Sequence, residues 1–268
     1  MAELSGLVRN MIDVDQQLRT VLSAAVPLAP LVTKLSKAHG LLLAQDVRAV
    51  TAMPWFNNSA MDGYAVRQED LRQVPTKLRV VADIPAGSAL SPVINTGEAA
   101  RIMTGAPVPS TANAIVPLEH TDRGTSTVTI NIIPGPGAHI RLAGEDIPAG
   151  ALVVGAGAEL NSRRLSAIAA TGCSEVLVHP AARVAVISTG SELVPPGSTL
   201  KPGQIFESNS YLLAASAREA GAVIVDIASV ADDEAAFLKL FAEFTEKADV
   251  VLISGGVSVG AYDVVKAA

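Results

Sequence analysis

The sequence predicts an α/β multidomain protein that combines a parallel-sheet α/β domain, an elongated Pro-rich β module and an N-terminal helical segment. Three observations support this prediction. The chain has 268 residues, which is enough for about two domains. Ten of its sixteen prolines lie between Pro54 and Pro148. From Arg183 onward, β-branched runs alternate with helical spacing, as in strands joined by crossover helices.

The N-terminal segment has the spacing of helices. Apolar residues recur at helical intervals over Leu4–Ser23 and again over Leu31–Lys37, and Gly40 stands where the second helix would end. We therefore expect a helix in each of these two stretches.

The proline-rich region has the alternation of short strands. Such strands are predicted over Lys77–Ala82, Ile115–Leu118 and Thr127–Ile133, between turns rich in proline and glycine. After this region, Ser162–Ala170 predicts a short helix that ends near Gly172.

The last part of the chain has the clearest pattern. Strand, helix, strand, helix and strand are predicted in turn over Arg183–Ile187, Asn209–Ala220, Ala222–Ile227, Asp233–Lys247 and Asp249–Ile253. We expect Ser208 to cap the first of these helices and Gly221 to follow its end. In the second helix, Phe237, Leu238, Leu240, Phe241 and Phe244 are predicted to share an apolar stripe. The order predicts a parallel sheet with right-handed crossovers.

Composition excludes several classes of protein. Half of the residues (49%) are hydrophobic, so the chain is not of the disordered class. A net charge of −6 without basic clusters argues against nucleic acid as a partner. No apolar run is long enough to predict a membrane span, and the N-terminus lacks the pattern of a signal peptide. A single cysteine, Cys173, fits a reducing, cytoplasmic location.

The carboxyl ends of the three predicted strands form a candidate phosphate site, because ligands of open α/β sheets bind at those ends. The segments there are Ser188–Leu193, Ser229–Glu234 and Ser254–Asp263. They supply glycines at 190, 255, 256 and 260, which let backbone N–H groups approach an anion.

Carboxylates of Glu192, Asp232 and Asp263 are expected beside these glycines. They would repel a phosphate unless a divalent cation lies between them, so the pattern points to a phosphate bridged by Mg²⁺. The alternative is that Asp232 only caps the following helix and that the glycines only turn the chain.

Two segments of the β module also carry defined hydrogen-bonding groups. Pro54–Val66 places Asp62 beside Gly63, although an Asx turn anchored by the neighbouring aromatic residues would explain that pattern equally well. Arg101–Pro109 places Thr104 near Arg101, which could bind an oxyanion or form an ion pair. Gly144–Gly150 adds Asp146.

These motifs, in this order, closely resemble the MoeA family of molybdopterin molybdenumtransferases, which are related to the E domain of gephyrin. The resemblance extends from about Leu31 to Lys266 and rests on six segments: PWFNNSAMDGYAV, GEAARIMTGAPVP, GEDIPAG, VISTGSEL, FESNSYLL and SGGVSVGAYD. It implies a MogA-like α/β domain over 179–268 and a β-rich domain over 47–143. Residues 1–46 together with 144–178 would form a third domain of helices and strands, which links the other two and forms the dimer contact.

The resemblance also implies an activity. Such enzymes take adenylylated molybdopterin and molybdate, and with Mg²⁺ they release AMP and leave the metal on the dithiolene, the last step of molybdenum cofactor synthesis. It implies a homodimer whose cleft lies between the α/β domain of one subunit and the β module of the other, with a molybdopterin adenylyltransferase as a possible donor of substrate.

Site residues follow from the matched motifs. Catalytic roles are implied for Asp62, Thr104, Asp146, Glu192 and Asp263. Mg²⁺ ligands are implied at Glu192, Asp232 and Asp263, and substrate contacts at Ser188, Gly190, Ser254, Gly255, Gly256 and Lys266.

Family members also have a lysine-rich segment and a small C-terminal β domain that have no match here. The resemblance therefore leads us to expect a fragment of the full enzyme, and a non-catalytic molybdopterin-binding or scaffolding paralogue is the alternative. A nucleotide-phosphate enzyme that shares only the α/β half is disfavoured by the β-module motifs.

Overall fold

A computed structural model describes residues 12–256 and residue 265 of the protein. The chain divides into two compact units. We call residues 34–37 and 45–176 the β unit, and residues 12–33, 38–44, 177–256 and 265 the α/β unit.

Short strands dominate the first two thirds of the chain. In chain order the elements are α1 (Val14–Ala24), β1 (Leu31–Lys34), β2 (Leu42–Leu43), β3 (Val47–Arg48), β4 (Asn58–Ser59), β5 (Gly63–Val66), β6 (Thr76–Ile84), β7 (Glu98–Ile102), β8 (Ala114–Pro117), β9 (Thr127–Ile130), β10 (Ile140–Arg141), β11 (Leu152–Val154), α2 (Ser162–Ala170) and β12 (Glu175–His179). Single 3₁₀ turns occur at Leu35–Lys37, Gln68–Asp70 and Leu118–His120.

Longer strands and helices alternate in the last third. These elements are β13 (Arg183–Thr189), β14 (Leu193–Val194), β15 (Ile205–Phe206), α3 (Asn209–Glu219), β16 (Val223–Val230), α4 (Glu234–Lys247) and β17 (Val250–Ser254).

The β unit is built on a five-stranded mixed sheet in the order β8-β5-β7-β6-β9. Strands β6 and β7 are parallel, and the other pairs are antiparallel. Side chains are buried on both faces of this sheet: Tyr64 and Val66 pack in one cluster, and Ala65 of the same strand packs in another. The three short strands predicted in the proline-rich region are therefore confirmed as β6, β8 and β9.

The α/β unit contains a sheet in the order β16-β13-β17, and both pairs are parallel. This confirms the predicted strand–helix alternation. Strand β13 extends two residues further than expected, because Ser188 and Thr189 continue the ladder opposite Ser229 and Val230 of β16. These two residues therefore belong to the strand and not to the turn that follows it.

Helices α3 and α4 cover opposite faces of this sheet. Val184 and Val186 of the central strand pack with Ala214 of α3, whereas Ala185 and Ile187 pack with phenylalanines of α4. Opposite faces are expected, because both crossovers are right-handed but run in opposite directions across the sheet. The first leads from β13 to β16 on one side, and the second leads from β16 past β13 to β17 on the other.

Helix α4 differs in one detail from the predicted stripe. Phe237 and Phe244 are buried, and Leu240 and Phe241 pack against the same cluster. Leu238 is 41% exposed and lies outside it, because one residue advances a helix by about 100°. Asp233 caps the helix by accepting a hydrogen bond from the backbone N–H of Ala236 at 2.9 Å.

The helix predicted over Leu31–Lys37 is wrong. Leu31–Lys34 is a strand, and a 3₁₀ turn follows it. Strand β1 belongs to a sheet in the order β1-β12-β2, so pairing with neighbouring strands prevails over local spacing. Gly40 has a φ of 77° in the turn before β2 and ends no α-helix.

The first predicted helix lies partly outside the described residues, which begin at residue 12. Its described part is confirmed as α1, whose start is capped by Asp13. Within the described part of the chain, no helix is both long and apolar enough to cross a membrane.

Candidate functional site

Three serines lie side by side where the parallel strands of the α/β unit end. Ser188 of β13 is in register with Ser229 of β16 and with Ser254 of β17. The three segments that the sequence assigned to a phosphate site therefore begin on neighbouring strands at the same edge of the sheet, the edge where α/β proteins bind ligands.

A buried glutamate supports this edge. Glu207 is 6% exposed and accepts hydrogen bonds from the hydroxyl of Ser188 at 2.9 Å and from the backbone N–H and hydroxyl of Ser210 at 2.8 and 2.5 Å. Burial raises the pKa of Glu207, but the donors of Ser210 and Ser188 outweigh it and bring the pKa below its ordinary value.

Glu207 also corrects the predicted cap of α3. The Ser208 side chain makes no capping hydrogen bond, because the Glu207 carboxylate already takes the backbone N–H of Ser210. No role was predicted for Glu207, and its only signal in the sequence was its place in the segment FESNSYLL.

The start of α3 is also tied to the end of β17. The side-chain amide of Asn209 donates a hydrogen bond to the Ser254 hydroxyl oxygen at 2.7 Å. This fixes Ser254, one of the residues that the family resemblance assigned to substrate binding, and Asn209 was not predicted to take part.

Asp232 connects two strand ends. Its carboxylate accepts a hydrogen bond from the backbone N–H of Ser191 at 3.0 Å, and its own N–H donates to the Ser191 hydroxyl at 3.1 Å. The neighbouring Gly190 N–H donates to the carbonyl of Val230 at 3.1 Å. The suggestion that Asp232 only caps α4 is therefore wrong, since Asp233 has that role.

Glu192 lies against Gly190 on the same turn. A Cβ placed on Gly190 would come within 2.7 and 2.9 Å of the two carboxylate oxygens of Glu192. Both Glu192 and Asp232 are exposed, and one oxygen of Asp232 is already hydrogen-bonded to Ser191.

These two carboxylates fit Mg²⁺ in kind and in number, because proteins commonly hold that ion by one or two carboxylates together with water and substrate phosphates. Over residues 12–256 and 265, no group of three or more acidic, histidine or cysteine side chains is close enough to hold a metal ion without such help. Asp263, the third predicted ligand, lies outside the described residues, as does Lys266.

The turn after β17 is made of two glycines in the left-handed region. Gly255 has a φ of 94° and Gly256 a φ of 64°, which side-chain-bearing residues rarely adopt. A Cβ on Gly255 would lie 2.3 Å from the carbonyl oxygen of Thr189. The end of β17 can therefore approach the end of β13 only with glycine at this position.

The β unit brings together two of the predicted catalytic residues. One carboxylate oxygen of Asp62 accepts hydrogen bonds from the backbone N–H of Thr104 at 2.7 Å and from its hydroxyl at 2.8 Å. These two donors, assisted by the charge of Arg101, lower the pKa of Asp62. Both residues are exposed, so an ionised carboxylate faces the solvent here.

Close backbone packing holds Asp62 in place. Gly63, the first residue of β5, lies so near β8 that a Cβ on it would come within 2.1 Å of the Val116 carbonyl oxygen. On the other side, the Gly105 N–H donates to the carbonyl of Ser59 at 2.8 Å. Asp62 and Thr104 therefore project from the ends of paired strands.

Arg101 and Asp146 differ from this pair. Arg101 forms an ion pair with Asp83 at 3.6 Å, which favours the second of its two proposed roles. Asp146 is exposed, and its backbone N–H donates to the carbonyl of Met53 at 3.1 Å. No hydrogen bond between described residues joins Asp146 to Asp62.

We predict that replacing Thr104 by valine raises the pKa of Asp62 towards its ordinary value, because the hydroxyl donor is lost. The rise is partial, since the backbone N–H of residue 104 remains. NMR titration of the Asp62 carboxyl carbon measures it. Thr127→Val, at an exposed threonine of the same unit, serves as the control and leaves this pKa unchanged; an unchanged pKa in Thr104→Val would contradict the assignment.

Comparison with protein-family models relates both parts of the chain to known proteins. Residues 12–172 match the model described as the MoeA N-terminal region, domains I and II. The chain belongs to the MoeA family. Residues 185–268 match a second model, described as a probable molybdopterin binding domain.

Relatives with solved structures or curated names agree with this assignment to the MoeA family. Molybdopterin molybdenumtransferase 2 of Mycobacterium tuberculosis is 48% identical over 260 residues, which cover 96% of this chain and 64% of that protein. The molybdopterin molybdenumtransferase of a Nostoc species is 40% identical over 238 residues, covering 87% of this chain and 55% of that protein. This MoeA chain thus spans less than two thirds of their length.

The fold comparison gives the same result. A crystal structure of a molybdopterin biosynthesis MoeA protein from Pyrococcus horikosii superposes with a TM-score of 0.77 at 32% identity, covering 92% of this chain and 64% of that one. The predicted α/β fold class and the resemblance to the MoeA family are both confirmed.

Proposed function

We propose that this protein acts in molybdenum cofactor synthesis, inserting molybdenum from molybdate into adenylylated molybdopterin with release of AMP. The observation that carries the proposal is the carboxyl edge of the parallel sheet. There, serine hydroxyls from neighbouring strands, a double-glycine turn and the carboxylates of Glu192 and Asp232 lie together, in a chain of the MoeA family.

Each group has a role that suits its chemistry. Ser254, Gly255 and Gly256 would supply neutral hydrogen-bonding groups for phosphate oxygens, and exposed Asn209 fixes the Ser254 hydroxyl. Ser188 and Gly190 support the same edge from within the protein, because the Ser188 hydroxyl donates to buried Glu207 and the Gly190 N–H donates to the Val230 carbonyl. Such preorganised donors stabilise charge without having to rearrange.

Glu192 and Asp232, with Asp263, would hold Mg²⁺ on the substrate phosphates. The ion would supply charge neutralisation at the phosphate that departs as AMP. Lys266 would add a positive charge for the same anion.

In the β unit, Asp62 is ionised at neutral pH and its lowered pKa keeps it ionised in more acidic solution, so it can accept hydrogen bonds from N–H or O–H groups of a bound substrate. Thr104 holds its carboxylate in one orientation, and we assign Asp146 a supporting role in the same site.

Release of AMP tests this function directly. The 268-residue chain and a chimera that adds the unmatched part of the M. tuberculosis relative are incubated with adenylylated molybdopterin, with and without molybdate and Mg²⁺. We expect AMP release from the chimera that requires molybdate and Mg²⁺. Substrate binding by both proteins without AMP release from either would instead favour a scaffolding role.

We further propose that the protein is a cytoplasmic homodimer that receives its substrate from a molybdopterin adenylyltransferase and binds neither nucleic acid nor membranes. Support comes from the family resemblance, which implies a cleft shared by two subunits; Asp62 belongs to the β unit and Glu192 to the α/β unit, so the two can be varied independently.

Mixing two inactive variants of the chimera tests the dimer. Asp62→Ala and Glu192→Ala are each expected to be inactive. Mixed dimers would have one intact site, giving about a quarter of wild-type activity after random exchange of subunits. Glu159→Ala, at an exposed glutamate, is the control and keeps full activity alone. Two inactive variants that show no recovery after proven subunit exchange would contradict the shared cleft.

A further inference from the structure

The strand order of the α/β unit identifies one crevice above all others. The chain leaves β13 towards β16 on one side and returns past it to β17 on the other, and the two connecting helices cover opposite faces. Ligands of such sheets bind outside the carboxyl ends of the two strands where the direction reverses. These are β13 and β17, which end at Thr189 and Ser254.

A buried hydroxyl group lies at this point without a partner. Thr189 is 5% exposed, and within the described residues its Oγ1 makes no hydrogen bond. Buried hydroxyl groups in folded proteins are almost always hydrogen-bonded. Ser188, the preceding residue, follows that rule by donating to Glu207.

The Thr189 hydroxyl is directed at the double-glycine turn. A Cβ built on Gly255 would lie 2.7 Å from Oγ1, and one built on Gly256 would lie 3.0 Å from it. The hydroxyl therefore faces the backbone of this turn, and Val265 lies beside it, since the Cβ on Gly256 would also come within 2.9 Å of the Val265 Cγ2 and 3.4 Å of its backbone N. Successive backbone N–H groups in such turns form concavities that bind anions.

We propose that the Thr189 hydroxyl donates a hydrogen bond to a tetrahedral oxyanion bound at the Gly255–Gly256 turn, either a phosphate of the substrate or molybdate itself. This inference rests on the proposed function and adds an anion-binding residue to it. Glu192 and Asp232 bring negative charge to the same edge and would repel an anion. A hydroxyl donor held in place by burial would favour anion binding there. Acceptor-only oxygens, as in phosphate and molybdate, match a hydroxyl that is free to donate.

The test compares Thr189→Val, which keeps the shape and loses the hydroxyl, with Thr189→Ser, which keeps the hydroxyl. Thr127→Val, at an exposed threonine, is the matched control. Thermal unfolding without ligand is measured first. Thr189→Val is expected to melt at or above the wild-type temperature, since no hydrogen bond within the protein is lost. A melting temperature of Thr189→Val well below that of Thr127→Val would show that the Thr189 hydroxyl has a hydrogen-bond partner within the protein, and would overturn the proposal.

Binding of inorganic phosphate and of molybdate is then measured separately by NMR titration of the 268-residue chain. Thr189→Val is expected to weaken binding of at least one of the two anions about tenfold or more, and Thr189→Ser is expected to restore it. The anion affected identifies the oxyanion. Unchanged affinity for both anions, or no binding of either by the wild type, would overturn the proposal. A chain that passes this test but releases no AMP would refute the proposed reaction and leave this inference intact.

Discussion

Replacing Gly63 by alanine is expected to destabilise the β unit by about 3 kcal/mol, the upper end of what overpacking typically costs. The added Cβ would meet the carbonyl oxygen and carbon of Val116 at 2.1 and 2.9 Å and the Cα of Pro117 at 3.1 Å. All three are backbone atoms, so β5 and β8 must separate to admit it. The shift would also disturb Asp62, whose carbonyl accepts the N–H of Leu118 at 3.0 Å.

Gly135 offers a matched control in the same unit. A Cβ on Gly135 would meet nothing within 4 Å, and its φ lies outside the left-handed region. Gly135→Ala is therefore expected to stay within about 0.5 kcal/mol of the wild type. Urea unfolding measures both variants. Equal stabilities for Gly63→Ala and Gly135→Ala would contradict the close approach of β5 to β8.

Glu207→Gln is expected to lower the free energy of unfolding by about 2 to 3 kcal/mol. The substitution replaces one acceptor oxygen by an NH₂ group, which would face the hydrogen-bond donors of Ser188 and Ser210. Ser188 and Ser210 would then compete for a single acceptor. Glu159→Gln, at an exposed glutamate without side-chain hydrogen bonds to the described residues, is the control and stays within about 0.5 kcal/mol of the wild type.

The loss of stability in Glu207→Gln is also expected to depend on pH. Because the folded-state pKa of Glu207 is lowered, its stabilising effect is complete above the unfolded-state value of about 4.5 and disappears as pH falls through the folded-state value. The difference in stability between the wild type and Glu207→Gln should therefore be constant near neutrality and shrink in acid. Chemical denaturation from pH 7 to pH 3 measures it. A difference that grows in acid would show that Glu207 is stabilised in its protonated form.

Local patterns in the sequence were sufficient to predict the α/β unit in outline. Its strands are β-branched runs and its helices are amphipathic, and Gly221 follows the end of α3 as expected. Strand lengths were underestimated at Ser188 and Thr189, since only the register with β16 and β17 extends β13 to these polar residues. The helix wrongly predicted over Leu31–Lys37 has the same origin, because β12, the strand that pairs with β1, lies far away in the sequence.

The candidate site was predictable only where short motifs carry it. Asp62 and Thr104 were singled out from their motifs, and the structure joins them directly. Glu207 and Thr189 could not be found in this way. Glutamate is not a usual capping residue, and a hydroxyl without a partner is a property of the folded packing, which no local pattern encodes.

The central position of β13 has a consequence for synthesis of the chain. Both of its partners come later in the sequence, so that Val184 pairs with Ile224 on one side and with Val250 on the other. Chains grow at about 5 to 20 residues per second, so the nascent chain holds this apolar strand unpaired for several seconds. During that interval its apolar side chains lack their partners in the sheet, a state prone to aggregation, and the sheet can close only after β17, which ends at Ser254, has been synthesised.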